Sequence, residues 1–469
     1  MTSFLLLNLK TGISLIETSN QSLALEGSSN TLSLENLPSG LLSAFQELDG
    51  SGKTSTQLSK IVRRFDGFQG IPTLYFYLAK LSRLGAIEYT LQADNTPIAR
   101  LSVTSLTPPF EFQEVKVETY YVLSRFAFCR SDRGQTVLET PLSAARVSFF
   151  SWHGGAIVAE LSQPKTVLEL ADRVPQLDEG TARHFLSLLL SAGAIVPTTA
   201  EVAQPADATE DLAVWEFHDL LFHTRSREGR QESTIGDPRE FSRPVKPLPV
   251  VKPETFSEYI ELCRPDIDQL KASDISLTQA LETRRSIREH GDEPITVTQL
   301  GEFLYRVARL RSTFIREGNE CSSRPYPSSA ASYELELYPV INACQGIPSG
   351  LYHYCPQTHR LGKVRDRDRQ VEELLVDAGR TNECRGKVPQ ILIVLAARYV
   401  RVARTYQGIA YAGILKDVGI LYQTMYLVAT SMNLAPCALG FGNSDRFSRA
   451  AGTDYYAETS VGEFMLGSR

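Results

Sequence analysis

No CxxC pair and no Cys/His cluster occurs among the seven cysteines. Their spacing therefore excludes a zinc ribbon or finger, and the odd count reads as a reduced, cytoplasmic chain without a disulfide framework. Cys321, Cys344, Cys355 and Cys384 show no metal spacing, and Cys437 reads as a small buried apolar residue. Positive charge is not in excess either. Lys plus Arg is 48 against 54 Asp plus Glu, a net charge of −6, so a nucleic-acid role would need a local basic patch. The opening MTSFLLLNLKTG has no basic lead and only a short apolar run, unlike a signal peptide. No long apolar run is free of charge: 409–430 carries Lys416 and Asp417 and predicts a buried helix, not a membrane span. What is there is ordinary globular material: 469 residues, 42% apolar and 22% charged, enough for roughly two to four domains and unlike a disordered, collagenous or coiled-coil chain.

The first hundred residues alternate and then change period. Phe4–Leu9, Leu23/Leu25 and Leu32/Leu34 have period two and predict short antiparallel strands. Leu58, Ile61, Val62 and Phe65 fall on one face of a helix. A second helix over Pro72–Leu84 stops at Gly85, and Ala86–Tyr89 returns to strand. Hairpin, helices and short strand make a winged-helix order. It recurs: strands at Tyr120–Cys129, Thr136–Glu139 and Val147–Phe150, a helix holding Val167, Leu168, Leu170 and Ala171, and another over Gly180–Ser191 stopping at Gly193. The endings LSRLGAIEYT and LLSAGAIVPT match, which predicts a tandem duplication.

A winged helix raises the question of DNA. Residues 1–100 hold eight basic and eight acidic side chains, and 101–210 hold eight basic and thirteen acidic. Phosphate neutralisation needs a cationic excess that neither repeat has. Two readings remain: a strand edge beside a helix that accepts an extended peptide, or modules that only pack against the rest of the chain. Beyond them, WEFHDLLFHTRSREGRQ gives way to a stretch with Pro238, Pro244, Pro247, Pro249 and Pro253, which predicts an extended crossing segment. His218, His223, Arg225 and Arg227 stand out there, and with no third ligand nearby they read as packed or paired side chains.

The last third carries chemistry. A helix predicted at Ile275–Leu281 runs into TRRSIREH, where Arg284, Arg285, Ser286 and Arg288 crowd within five residues. Such a cluster fits a phosphate dianion, through guanidinium forks and a hydroxyl, or a solvated basic turn. RPYPSSAASYELELYPV predicts a turn and then a strand with Leu335 and Leu337 on one face, and PQILIVLAA a strand covered on both faces. Tyr411–Met432 predicts a long, almost fully buried helix. In LAPCALGFGN, Gly440 and Gly442 would let backbone approach a flat ligand.

TRRSIR, the YPSSA turn, QTMYLVATSMNLAPCALGFG and WEFHDLLFHTRSREGR together resemble the nitroreductase-like flavin enzymes of the SagB type. Within them the chain looks like the FMN-dependent oxidases that turn peptide thiazolines or oxazolines into azoles, and its repeats look like the winged-helix peptide clamps of cyanobactin oxidases. The resemblance implies an α+β chain: clamps at 1–105 and 106–200, an extended linker at 201–255, and a nitroreductase-like FMN domain at 256–469 with a central mixed sheet and packed helices in an intertwined homodimer. It implies that Arg284, Arg285 and Ser286 hold the phosphate and ribityl end of FMN, that Arg288 reaches the pyrimidine edge, and that Leu439–Gly440 offers an N–H to flavin N5. Pro327, Ser328 and Ser329 would reach the flavin bound mainly by the other subunit.

Aromatising an azoline removes a proton and a hydride, with dioxygen reoxidising the flavin. Relatives place a Lys-Tyr pair before the long helix; here the tyrosine is Tyr406 and the lysine position is Thr405. The resemblance thus leaves the base to Tyr406, helped by Arg401 or Arg404, or to Lys416, whose alternative is a paired helix lysine. Expected partners are an azoline-containing precursor peptide, a second copy of the chain and the heterocyclase of the same pathway, with no nucleic acid and no membrane. Two other functions stay open: an NAD(P)H-dependent reductase of nitro compounds or quinones, and a non-catalytic peptide-binding adaptor.

Overall fold

A computed structural model describes all residues except 1–2, 20, 27–30, 51, 106–109, 203–209, 228, 230–244, 317 and 381–386. Pro238, Pro244 and Cys384 lie outside the described residues. The chain divides into two compact units, Met1–Thr234 and Ile235–Arg469, so both repeats share one unit.

In the first unit β1 (Ser3–Leu9) leads to the meander β2 (Ser14–Ser19), β3 (Ser22–Glu26) and β4 (Thr31–Leu34). Three helices follow, α1 (Ser39–Gln46), α2 (Ser55–Asp66) and α3 (Ile71–Arg83), then the hairpin β5 (Ile87–Ala93) and β6 (Thr96–Val103). The second repeat has β7 (Tyr120–Leu123), β8 (Phe128–Asp132), β9 (Gln135–Glu139) and β10 (Ala145–Phe149), the helices α4 (Trp152–Glu160), α5 (Val167–Arg173) and α6 (Glu179–Ser191), and β11 (Ile195–Thr198). The run expected as one strand from Tyr120 is broken between β7 and β8, where Ala127 N–H bonds back to Ser124 O.

Local construction repeats in detail. Lys53 forms a two-way backbone bridge with Leu7 of β1, and Lys165 forms the same bridge with Tyr121 of β7. Each lysine precedes a threonine cap, Thr54 or Thr166, with a full capping box completed by Gln57 or Glu169. Each repeat's third helix ends at a left-handed glycine, Gly85 (φ 64) or Gly193 (φ 67). There Ala86 and Ala194 N–H reach back to Leu81 O and Leu189 O, the Schellman closure that a residue with a Cβ disfavours. The sheet order β1-β5-β6-β10-β9-β8 joins both repeats, and one core runs from Leu7 to Ile195. Leu58 and Val62 are fully buried as the α2 pattern predicts, whereas Phe65 is 55% exposed. Two short helices, α7 (Glu210–Ala213) and α8 (Phe217–Arg225), occupy part of the stretch expected to be extended. This part is free of proline, and Leu220 and Thr224, one turn apart, bury the inner side of α8. There His218 pairs with Asp219, His223 packs on Trp215 and Arg225 bonds Glu139 at 3.0 Å.

The second unit opens with β12 (Tyr259–Glu261), α9 (Ile267–Ser273), α10 (Leu277–Thr283) and α11 (Val297–Ala308), then the hairpin β13 (Ser312–Arg316) and β14 (Asn319–Ser323). β15 (Leu335–Ile341), β16 (Gly350–Cys355) and β17 (Arg360–Asp366) precede α12 (Arg369–Arg380), β18 (Ile391–Arg398), α13 (Val400–Ala403) and α14 (Ala410–Ser431); β19 (Leu434–Leu439), α15 (Ser444–Ala451) and β20 (Glu458–Ser468) complete it. The sheet order is β12-β17-β16-β15-β18-β20-β19. All six pairings are antiparallel, so the sheet is not mixed as expected. Helices cover both faces all the same, and β18 splits its side chains between two cores. Ile391, Ile393, Leu395 and Ala397 meet the core of α11 and α14, while Leu392, Val394 and Ala396 meet that of α12 and α15. Burial on both faces is therefore no signature of parallel pairing here.

α14 corrects a second expectation. Its inner face, with Ile414, Val418, Leu421 and Met425, is buried, but Tyr411, Leu415 and Ile420 stand 37–44% exposed on the outer face. No helix among the described residues is long and apolar enough to cross a membrane.

Candidate functional site

The site is built along α14. α10 ends at Thr283, and Arg284 leaves the helix with extended ψ (125°), so residues 284–288 run as open chain. Ile287 N–H donates to Pro436 O (2.8 Å), which lays this segment along β19. The Tyr426 hydroxyl, from α14, then joins the two: it accepts the Ala438 N–H (2.8 Å) and shares a hydrogen bond with Ser286 Oγ (2.8 Å). The guanidinium carbon of Arg284 lies 5.3 Å from the centre of the Tyr426 ring, a cation–π contact. Arg284, Ser286, Leu439 and Gly440 are thereby brought to one place.

Several features of this place suit an anionic, planar group. Arg285 and Arg288 are exposed and have no acidic partner among the described residues. A methyl built on Gly440 would meet nothing within 4 Å, so its backbone faces open space. Gly442 has another reason to be glycine: a Cβ there would overlap the Glu463 carboxylate. Two free guanidiniums, a hydroxyl and an accessible backbone form a donor set without an internal acceptor, which fits the phosphate and ring edge of a flavin.

The Pro327–Ser329 turn is held elsewhere on the same helix. Asp417, 2% exposed, accepts hydrogen bonds from Ser328 Oγ (3.0 Å), Ser329 N–H (2.8 Å) and Ser329 Oγ (3.1 Å). Asp417 precedes Tyr426 by nine residues, about 13 Å along the axis at the helical rise. The turn is thus anchored well away from the arginine cluster of its own chain. Ser328 Oγ also donates to Glu334 (3.2 Å), which is fully buried. Burial first, and the charge of Asp417 next, push the Glu334 carboxyl up to about 8, so Glu334 holds a proton at neutral pH. The clamp matters because Ala330, Ala331 and Tyr333 all sit at positive φ (49°, 55°, 44°), conformations that side chains adopt only under constraint.

The expected bases occupy different settings. Tyr406 lies partly buried against the core just before α14, while Lys416 is on the exposed face of α14. Arg401 donates to the carbonyls of Ser332, Leu248 and Glu320, so its N–H groups are engaged there.

Sequence reasoning missed Tyr426, Glu334 and Glu463. Glu463 faces Leu439 across the β19–β20 ladder, and burial pushes its carboxyl up to about 7. Only the helical pattern marked Tyr426, and its partner Ser286 is distant in sequence. A Cys355–His353–Glu336 array resembles a nucleophile triad, with Sγ 3.8 Å from His353 Nδ1 and Nε2 2.9 Å from Glu336. Burial, however, pushes the Cys355 thiol up to about 12, which leaves it unreactive at neutral pH. Among the described residues no group of three or more His, Cys, Asp or Glu is placed to hold a metal.

Three family models match the chain: the ThcOx helix-turn-helix domain over residues 1–112, the cyanobactin oxidase ThcOx over 121–232 and the nitroreductase family over 281–468. A putative nitroreductase of Methanocaldococcus jannaschii is 30% identical over 185 residues, which span 39% of this chain and 86% of that protein. Among solved structures, a putative nitroreductase from Ralstonia eutropha aligns at 21% identity and TM-score 0.36, over 48% of this chain and 97% of that one. Another from Desulfovibrio desulfuricans, solved in complex with FMN, aligns at 14% identity and TM-score 0.27, over 41% and 86%.

Proposed function

The chain belongs to the nitroreductase family, with the ThcOx helix-turn-helix domain at its N-terminus, and on that premise we propose that it is an FMN-dependent oxidase converting azoline rings of a peptide to azoles. The observation that carries this reading is the Tyr426 join, which sets Arg284 and Ser286 beside Leu439–Gly440. Arg284, Arg285 and Ser286 hold the phosphate and ribityl end, Arg288 lies toward the pyrimidine edge, and the Gly440 region lines the reactive edge of the ring.

FMN bound there supplies the hydride acceptor, and dioxygen restores it. The chain's own task is to place the azoline over the ring, exclude water and take the ring proton. Tyr406 is the proposed proton acceptor and Lys416 the second candidate; Thr405 stands where relatives carry lysine. Pro327, Ser328 and Ser329, held at the far end of α14, serve the flavin of a second copy in a homodimer. The uncovered stripe of Tyr411, Leu415 and Ile420 supports that assembly, because a partner copy would bury it. The ring itself must come from a cyclodehydration of the peptide, which makes the heterocyclase of the pathway the natural partner.

The test is an anaerobic spectrum of the purified protein mixed with a thiazoline-containing peptide. Bleaching of the visible flavin band, reversed by air, is the expected result, and R285A/R288A loses the band. Bleaching by NADPH but not by peptide would assign a reductase. No flavin band even after FMN is added would leave a peptide-binding adaptor.

A further inference from the structure

Most buried acids of the second unit have a partner. Glu334 and Asp417 hold the Pro327–Ser329 turn, and Glu336 is paired with His353 and Arg398. Glu463 of β20 is the exception: it is buried, and no cation among the described residues pairs with it.

Its place is the base of the loop assigned to the flavin. Glu463 faces Leu439, the last residue of β19, and residues 440–443 follow directly. The carboxyl lies against the loop itself, in the space that the missing Cβ of Gly442 leaves free. Two residues span about 7 Å at most, which puts the carboxyl within about 11 Å of the Gly440 backbone. α14 pins both strands here. The Tyr422 hydroxyl accepts the Glu463 N–H (2.7 Å), as the Tyr426 hydroxyl, one turn on, accepts that of Ala438 (2.8 Å). Loop and carboxyl are thereby held in a fixed relation.

Burial pushes the carboxyl up to about 7, offset in part by a hydrogen bond from Ser460, whose hydroxyl also meets that of Ser444 (3.0 Å). Glu463 therefore changes charge close to neutral pH. The other elements packed around it present Tyr411 and Tyr422 of α14, both with phenols pushed up by burial, and Val394 of β18. Asp377 of α12 is met by Arg446 of α15 at 2.6 Å. A cavity of about 20 Å³, room for one water, touches Glu463, Asp377, Gly442 and Asn443, and a water there can carry the proton.

A hydride taken from the azoline adds one negative charge to the flavin ring. A second negative charge at the loop opposes it. At about 11 Å and an effective dielectric of about 20, that opposition amounts to about tenfold in an equilibrium. We propose that Glu463 sets the redox balance of the bound flavin from the Gly442 side of the loop: neutral, it lets the ring accept the hydride's charge, and ionised, it holds the ring toward the oxidised form, so that reduction draws a proton onto Glu463. This rests on the FMN reading of the site and adds its control by pH.

The test is the midpoint potential of FMN bound to the full chain, measured against a reference dye for the parent and for E463Q, whose amide fills the same space without ionising. The gap between the two is constant below about pH 6. Above that the parent falls further, by an amount approaching about 30 mV at about pH 8.5, tenfold in its preference for reduced FMN. G442A, which pushes the carboxyl off the loop, narrows this extra fall. Infrared difference spectra of the parent at about pH 8 show a carboxyl gaining a proton on reduction, a signal that E463Q lacks. A purely structural role would shift the potential equally at every pH. Potentials that run parallel from about pH 5.5 to about pH 8.5, or a proton-uptake signal that survives in E463Q, overturn the proposal. If the parent binds FMN and oxidises a thiazoline peptide while the potentials run parallel, only the role of Glu463 falls; if the parent binds no FMN, the reading it rests on falls with it.

Discussion

Tyr426 makes the site from one hydroxyl, so its removal is the sharpest single-residue test. Y426F keeps the ring under Arg284 but strands the Ala438 N–H and Ser286 Oγ. The expected outcome is a roughly tenfold rise in the FMN dissociation constant, ~1.4 kcal/mol, read by flavin fluorescence titration with the fold retained by circular dichroism. Glu334 and Glu463 give a pH signature. Both hold a proton in the folded chain up to about 8 and about 7, whereas unfolded glutamate releases it near ~4.3. The folded state then binds more protons, so stability falls as pH rises. His290, lowered to about 4 by burial, and His184 and His359, also lowered chiefly by burial, act in the opposite sense, but their effect fades as pH passes the ~6.5 midpoint of unfolded histidine. Above that pH the glutamates dominate. Urea midpoints therefore fall from pH 6.5 to 8.5, and E334Q/E463Q flattens the fall. The arginine cluster was legible because its members are adjacent. Glu334 and Glu336 were not: E-L-E-L-Y reads as a half-exposed strand, yet every residue of β15 is buried. Burial alone would raise the Glu336 carboxyl, but the His353 hydrogen bond, with the charges of His353, Arg324 and Arg398, holds it at about 2.

At the scale of elements, the duplicated order was legible from matching helix stops, and the structure adds its sharper mark. Lys-Thr-x-x-Gln at 53–57 and Lys-Thr-x-x-Glu at 165–169 build the same bridge and cap, a local pattern that apolar periodicity does not detect. The pairing directions of the second sheet were not legible, since a strand buried on both faces looks the same in either direction. The two faces of α14 escaped notice because an apolar outer stripe is indistinguishable in sequence from a core face. That stripe yields a prediction. Ile420 is 37% exposed, so I420R leaves the chain's own core intact while placing charge where a second copy would pack. Sedimentation should show a dimer for the parent chain and a monomer for I420R.

At the scale of the whole molecule, the two units differ in how their sheets close. In the first, β1 lies at an edge and the strands are laid down largely in neighbouring order. In the second, β20 is inserted between β18 and β19, pairing Ile391 with Leu466 on one side and Leu439 with Glu463 on the other. A chain stopped at residue 457 should keep the first unit folded and lose the second to aggregation, seen as a protease-resistant N-terminal fragment in the soluble fraction.

The insertion of β20 also sets a clock on biosynthesis. Translation from Arg398 to Ser468 takes roughly 4–14 s at ordinary elongation rates. During that interval ILIVLAA has no partner for the side that β20 later covers. A bare, uncharged, β-rich edge of this kind is the form most prone to pair with its like. Growing chains on neighbouring ribosomes would expose it together, so yield of the soluble protein should depend on how quickly the codons from β18 to β20 are read.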